Sequence, residues 1–170
     1  MNSRNLAVAA FLALAPFSLI GMGQQQKPQN GMTQQQMDEM NARGDKHMGF
    51  DHLKTTHHFL LSSEGGSIQV EANDLKDTDS RDQIRRHLRH ITMMFSEGNF
   101  AVPMLIHEKT PPGSKVMGQL KADITYEFKE TEKGAAILIS SNNSQAIAAI
   151  HEFLRFQIKE HMTGDPLDVK

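Results

Sequence analysis

The sequence predicts an α+β domain: two ββα repeats that form a four-stranded antiparallel sheet with two helices on one face. Three observations carry this reading. Shifting the chain by the 69 positions that separate Phe59 from Phe128 lays 59–73 over 128–142 without a gap, and Gly65 meets Gly134, Ile68 meets Ile137 and Asn73 meets Asn142. Each copy reads as a hairpin, with an alternating strand, a glycine-bearing turn and a second strand ending at Asn. After each hairpin the apolar residues change from alternation to helical spacing.

Taken in chain order, residues 1–23 read as a secretory signal peptide. A basic start at Arg4 precedes an apolar run over 6–20 broken only by Pro16 and Ser18, too short to span a bilayer comfortably, and Gly21-Met22-Gly23 offers a small-residue cleavage site before Gln24. Residues 24–46 are polar and glutamine-rich and read as a flexible linker, with at most a frayed helix over 34–42; Met32, Met37 and Met40 read as spacer residues rather than a soft-metal trap. Residues 47–170 form the single domain.

The first predicted helix starts at Ser80, where Ser80-Arg81-Asp82-Gln83 has the capping-box pattern, and runs to about Phe95 on a seam of Ile84, Leu88, Ile91 and Phe95. The second starts at Asn143 or Ser144 and runs to about Met162, with Ile147, Ile150, Leu154 and Ile158 inward and Gly164 and Pro166 closing it. Between them, 99–121 reads as a loop enforced by Pro103 and Pro111-Pro112-Gly113, with one or two helical turns over 114–120.

The chain has 170 residues, no cysteine and a net charge of −2, so disulfides contribute nothing and packing or a bound group must hold the fold. Without the leader, 17 basic residues face 20 acidic ones, which excludes the basic field that nucleic acid or an anionic membrane requires. Nine histidines and eleven methionines stand against one tyrosine and no tryptophan, and this bias is the main functional clue.

The histidines fall on inward faces. Around the first helix, Gln83, His87, His90 and Met94 share a stripe between about 240° and 300° from Ile84, beside the seam, and His90 with Met94 has the i,i+4 spacing of a chelating pair. On the second helix His151 and His161 lie about 40° to either side of Ile147. In the strands His57 is equivalent to Tyr126 on the apolar side, so His57 points in and His58 out. The expected metal ligands are therefore His57, His87 and His151, then His90 and Met94, with His161 at the margin and His107 reaching in from the connecting loop. A single core histidine is ordinarily satisfied by backbone, but several converging imidazoles need more partners than these faces supply, and a metal satisfies one nitrogen of each ring.

No phosphate-binding glycine loop, Gly-x-Ser-x-Gly elbow or His-Glu-x-x-His helix is present. Thr163-Gly164-Asp165-Pro166 reads as a helix cap followed by proline, and Arg85, Arg86 and Arg155 read as solvated surface charge. The segments Thr56-His57-His58-Phe59, 151–158 and 163–166 resemble a group of short exported bacterial proteins, uncharacterised, over about residues 48–167. That resemblance implies a bacterial envelope setting and no activity, cofactor or site residue.

The expected function is an exported, periplasmic or secreted transition-metal-binding protein. Copper is favoured because His and Met without Cys suit it in an oxidising compartment, and haem is the variant. The alternatives are a small envelope binding or structural module with incidental core histidines, and a small metal- or histidine-dependent enzyme. A homodimer, if formed, would use a sheet edge or helix flank, because the outward sheet face at Thr125, Glu127 and Lys129 is polar.

Overall fold

A computed structural model describes residues 33–169. The expected signal peptide, 1–23, and the first part of the expected linker lie outside them. Among the described residues no helix is long and apolar enough to cross a membrane.

Four strands, β1 (Thr55–Ser62), β2 (Gly65–Ala72), β3 (Ile124–Glu130) and β4 (Gly134–Ser141), form one antiparallel sheet in the order β1-β2-β4-β3. Alternation sets the register: Phe59 lies opposite Ile68, and Ile68 opposite Ile137, so one face carries Phe59, Ile68, Val70, Ile137 and Ile139, all buried. The central strands approach so closely that a side chain at the turn glycines is impossible. A Cβ on Gly134 would stand 2.1 Å from the Val70 carbonyl oxygen, and one on Gly65 2.3 Å from that of Ile139.

Among the described residues five helices accompany this sheet: α1 (Gln34–Met48), α2 (Thr78–Ser96), α3 (Ala101–His107), α4 (Ser114–Gln119), where one or two helical turns were expected, and α5 (Ser144–Glu160). The predicted pair, α2 and α5, covers the apolar face. Asp77, not Ser80, caps α2, its carboxylate accepting from both the backbone N–H and the hydroxyl of Ser80, which moves the start two residues forward. Asn143 caps α5 as expected. The seam of α2 is buried at all four predicted positions, whereas on α5 Ile147 is only half-buried and Phe153 fills the core instead.

Two departures shape the site. Residues 101–107, expected as loop, form α3, because Pro103 falls in the first turn, where its missing N–H has no intrahelical acceptor to lose. The linker expectation fails for its described part. Thr33 caps α1 in a complete capping box with Gln36, Met40 is buried, and Gly49 ends the helix in the left-handed conformation at φ 77°. Arg43 ties α1 to α3, donating from Nε to the Ile106 carbonyl (3.0 Å) and pairing with Glu108 (3.2 Å).

Candidate functional site

Four imidazoles gather where β1, α2, α3 and the end of α5 meet: His57, His87, His107 and His161 line one interior cavity of about 60 Å³. His57 and His161 stack at 5.3 Å between ring centroids and 14° between planes. His107 meets His161 edge-on at 5.1 Å, and the phenyl ring of Phe50 touches both His57 (5.8 Å) and His87 (5.6 Å). His57 and His161 also form the floor of a larger cleft, about 330 Å³, that opens outward beneath α1.

Burial keeps these rings neutral. Desolvation, then repulsion from His58 and His52, pushes the pKa of His57 down to about 4. Desolvation does the same to His87, again to about 4, with His57 and His90 adding to it. His161 lies well below its ordinary value for want of water, with His57 and His107 opposing its charge. Desolvation lowers His107 too, against the pull of Gln157 and Glu160. Each ring therefore offers a free lone pair at neutral pH, the state in which imidazole ligates a metal.

His107 reveals incomplete satisfaction. Its Nε2 lies 3.1 Å from Gln157 Oε1, while its Nδ1 and the Gln157 amide nitrogen have no hydrogen-bond partner. Glu160 Oε2 stands 3.6 Å from that Nδ1, beyond a hydrogen bond, and Glu160 is held by Lys109 at 2.9 Å. Two orphaned polar atoms at one place in an apolar interior mark a site short of a partner.

The segment after α5 positions the stack. The Asp165 carboxylate accepts from the Phe59 backbone N–H (2.9 Å) and the Thr163 hydroxyl (2.6 Å), and its other oxygen pairs with His58 (3.0 Å). Partial burial opposes ionisation of Asp165, but these bonds outweigh it and hold its pKa below the ordinary value. Arg155 fastens the same tail through the Leu167 carbonyl. The Thr56–Phe59 and Thr163–Pro166 segments are thus two halves of one clamp, and His57 and His161 sit beside it. The role of Asp165 and Arg155 was missed from sequence, where they read as a helix cap and surface charge. Arg85 was misread likewise: it donates to the Thr131 and Gly134 carbonyls and pins α2 to the β3–β4 turn.

The five predicted ligands separate. His57 and His87 share the cavity, with Phe50 packed against both. His151 is elsewhere: its Nε2–H donates to the Ser62 carbonyl (2.9 Å) at the far end of β1, about 16 Å along the strand from His57. His90 is exposed, and Met94 is half-buried against the core, lining neither the cavity nor the cleft. The other two imidazoles at the cavity are His161 and His107. Among the described residues, no three of these imidazoles bring ligand atoms within 4.8 Å of one another. The one set of three that does is Asp45, Asp51 and His52, and local structure accounts for it: His52 bonds Asp45 through N and Nδ1, and Asp51 caps the following turn at Leu53 N.

Comparison with protein-family models, curated proteins and solved structures finds no match to the chain.

Proposed function

We propose that the chain is an exported protein of the periplasm or extracellular space that binds a transition-metal ion, copper foremost, at His57 and His161, with His87 and His107 behind them. The observation that carries this reading is that His57 and His161, both neutral and with ring centroids 5.3 Å apart, line one open cleft. Core histidines kept only for packing would be sealed and satisfied through both nitrogens. Here the rings reach the cleft, and His107 Nδ1 is unsatisfied. The set has no thiolate, so soft character must come from methionine, which suits copper better than zinc. Haem held by one of these imidazoles is the variant of the same reading.

Elemental analysis of protein purified from its native compartment tests the proposal, beside the His57→Ala and His161→Ala variants. About one equivalent of metal in the wild type, lost in both variants, is the expected result. Metal-free wild type that binds no copper, zinc or haem on titration would overturn it and favour a binding module whose histidines serve the core.

A further inference from the structure

The wall that α1 contributes to the cleft carries three methionines beside Asn41 and Gly44. Met37, Met40 and Met48 line the opening with Met162 opposite, above His57 and His161. Met37, Met40, Gly44 and Met48 follow one another at i, i+3, i+7 and i+11, one face of the helix. No Leu, Ile, Val or Phe occurs in α1, so apart from Ala42 every apolar side chain of this helix is a thioether. Methionine often serves as a core gap-filler, but a gap-filler closes the space it meets. Here about 330 Å³ stays open, and Met37 and Met48 keep part of their surface in it.

Gly44 sits in mid-helix, where glycine costs roughly 1 kcal/mol against alanine. A Cβ there would come within 3.1 Å of Met48 Cε, so an alanine would make the end of Met48 shift by a few tenths of an ångström. Glu160 is the only carboxylate on the lining, and Lys109 already holds it at 2.9 Å. The lining is therefore rich in thioethers, and its carboxylate is already paired.

We infer that the cleft is a cuprous site, in which the thioethers of Met40 and Met48 complete a ligand set begun by His57 and His161. The inference rests on the metal-binding reading above and adds the oxidation state and the helix that selects it. Thioether and neutral imidazole together favour Cu(I), whereas Cu(II) and Zn(II) take nitrogen and oxygen and gain little from thioether. Arg43 and the Gly49 cap hold α1 in place, so the sulfur donors are positioned before the ion arrives.

The test titrates the purified full chain with Cu(I) under anaerobic conditions against bicinchoninate, and with Cu(II) and Zn(II) in parallel by calorimetry. One Cu(I) should bind at least 100-fold more tightly than either divalent ion. The Met40→Leu/Met48→Leu double variant keeps size and apolarity; it should lose at least tenfold in Cu(I) affinity while its divalent affinities move less than twofold. X-ray absorption of the Cu(I)-loaded wild type should show sulfur in the copper shell, a readout independent of the variant's folding. Divalent ions bound at His57 and His161 without Cu(I) preference, or a copper shell without sulfur, would overturn the cuprous assignment and leave metal binding standing. Failure of every ion to bind would overturn both.

Discussion

The two edge strands of the sheet, β1 and β3, use different side chains at corresponding inward positions. On β3 these are Tyr126 and Phe128, and on β1 His57 and Phe59. The β3 edge is closed by carbon: Tyr126 packs edge-on against Phe95, and Arg89 lies 4.7 Å over the ring of Phe128. The Tyr126 hydroxyl is buried there without a partner, and desolvation raises its pKa. The β1 edge is closed by groups that titrate or ligate, with His161 stacked on His57, Asp165 clamped to the strand and the methionines of α1 above. The apolar edge contributes stability alone. The histidine edge buries neutral imidazoles that oppose folding when they charge at low pH, and it leaves a cleft open beside them.

That contrast is most exposed to test at low pH. His57 and His87 have folded-state pKa values depressed to about 4 from an unfolded value near 6.5. Between these values the unfolded chain binds more protons, so stability is fully present above pH 6.5 and is lost as pH falls towards 4. No carboxylate lies against His57, which faces His52, His58 and His161. The slope should be near 1.4 kcal/mol per pH unit for each ring, giving a loss of about 2 kcal/mol per ring by pH 4.5, since partial exposure softens the effect. Denaturant unfolding of metal-free protein across pH 7.5 to 4.5 measures this. A His57→Leu variant should flatten the curve, and Tyr126→Phe should leave its shape unchanged.

The clamp is next in size. Asp165→Ala leaves the Phe59 N–H and the Thr163 hydroxyl without their acceptor and should cost about 1–3 kcal/mol in urea unfolding at pH 7. Hydrogen exchange should quicken along β1 and remain unchanged along β3; equal quickening at both edges would contradict the division between them. The smallest effect is expected at Tyr126. Removal of its unpartnered hydroxyl in Tyr126→Phe relieves a buried polar group and should leave stability equal or raise it by up to about 1 kcal/mol. A loss above that amount would mean the hydroxyl has a partner, and that the β3 edge is less apolar than described.

The sheet was legible because each hairpin carries its own instructions: two-residue alternation, and glycines where Val70 and Ile139 leave no room for a Cβ. The seam of α2 was legible for the same reason, since its four buried apolar residues lie at regular helical spacing. Helix α1 was not, because its inward face is methionine and glycine in a glutamine-rich segment, and the packing that stabilises it comes from α3, itself disguised by Pro103. For the site, helical angles placed histidines about the axis of α5 but not along it. Ten residues of helix, about 15 Å, separate His151 from His161, close to the span from Ser62 to His57 in β1. The two elements run so that His151 meets Ser62 and His161 meets His57. Only the docking of helix on strand determines which histidine reaches the site.

The Asp165–Phe59 contact joins positions 106 residues apart in a chain without cysteine. An ion shared by His57 and His161 would reinforce that closure with coordinate bonds, doing what a disulfide does in many secreted domains, but reversibly. Such a crosslink forms only when the segments bearing both histidines are in place, and a chelator removes it. Resistance to proteases would then rise with added ion and fall with a chelator, so that the lifetime of the protein itself would report whether such an ion is bound.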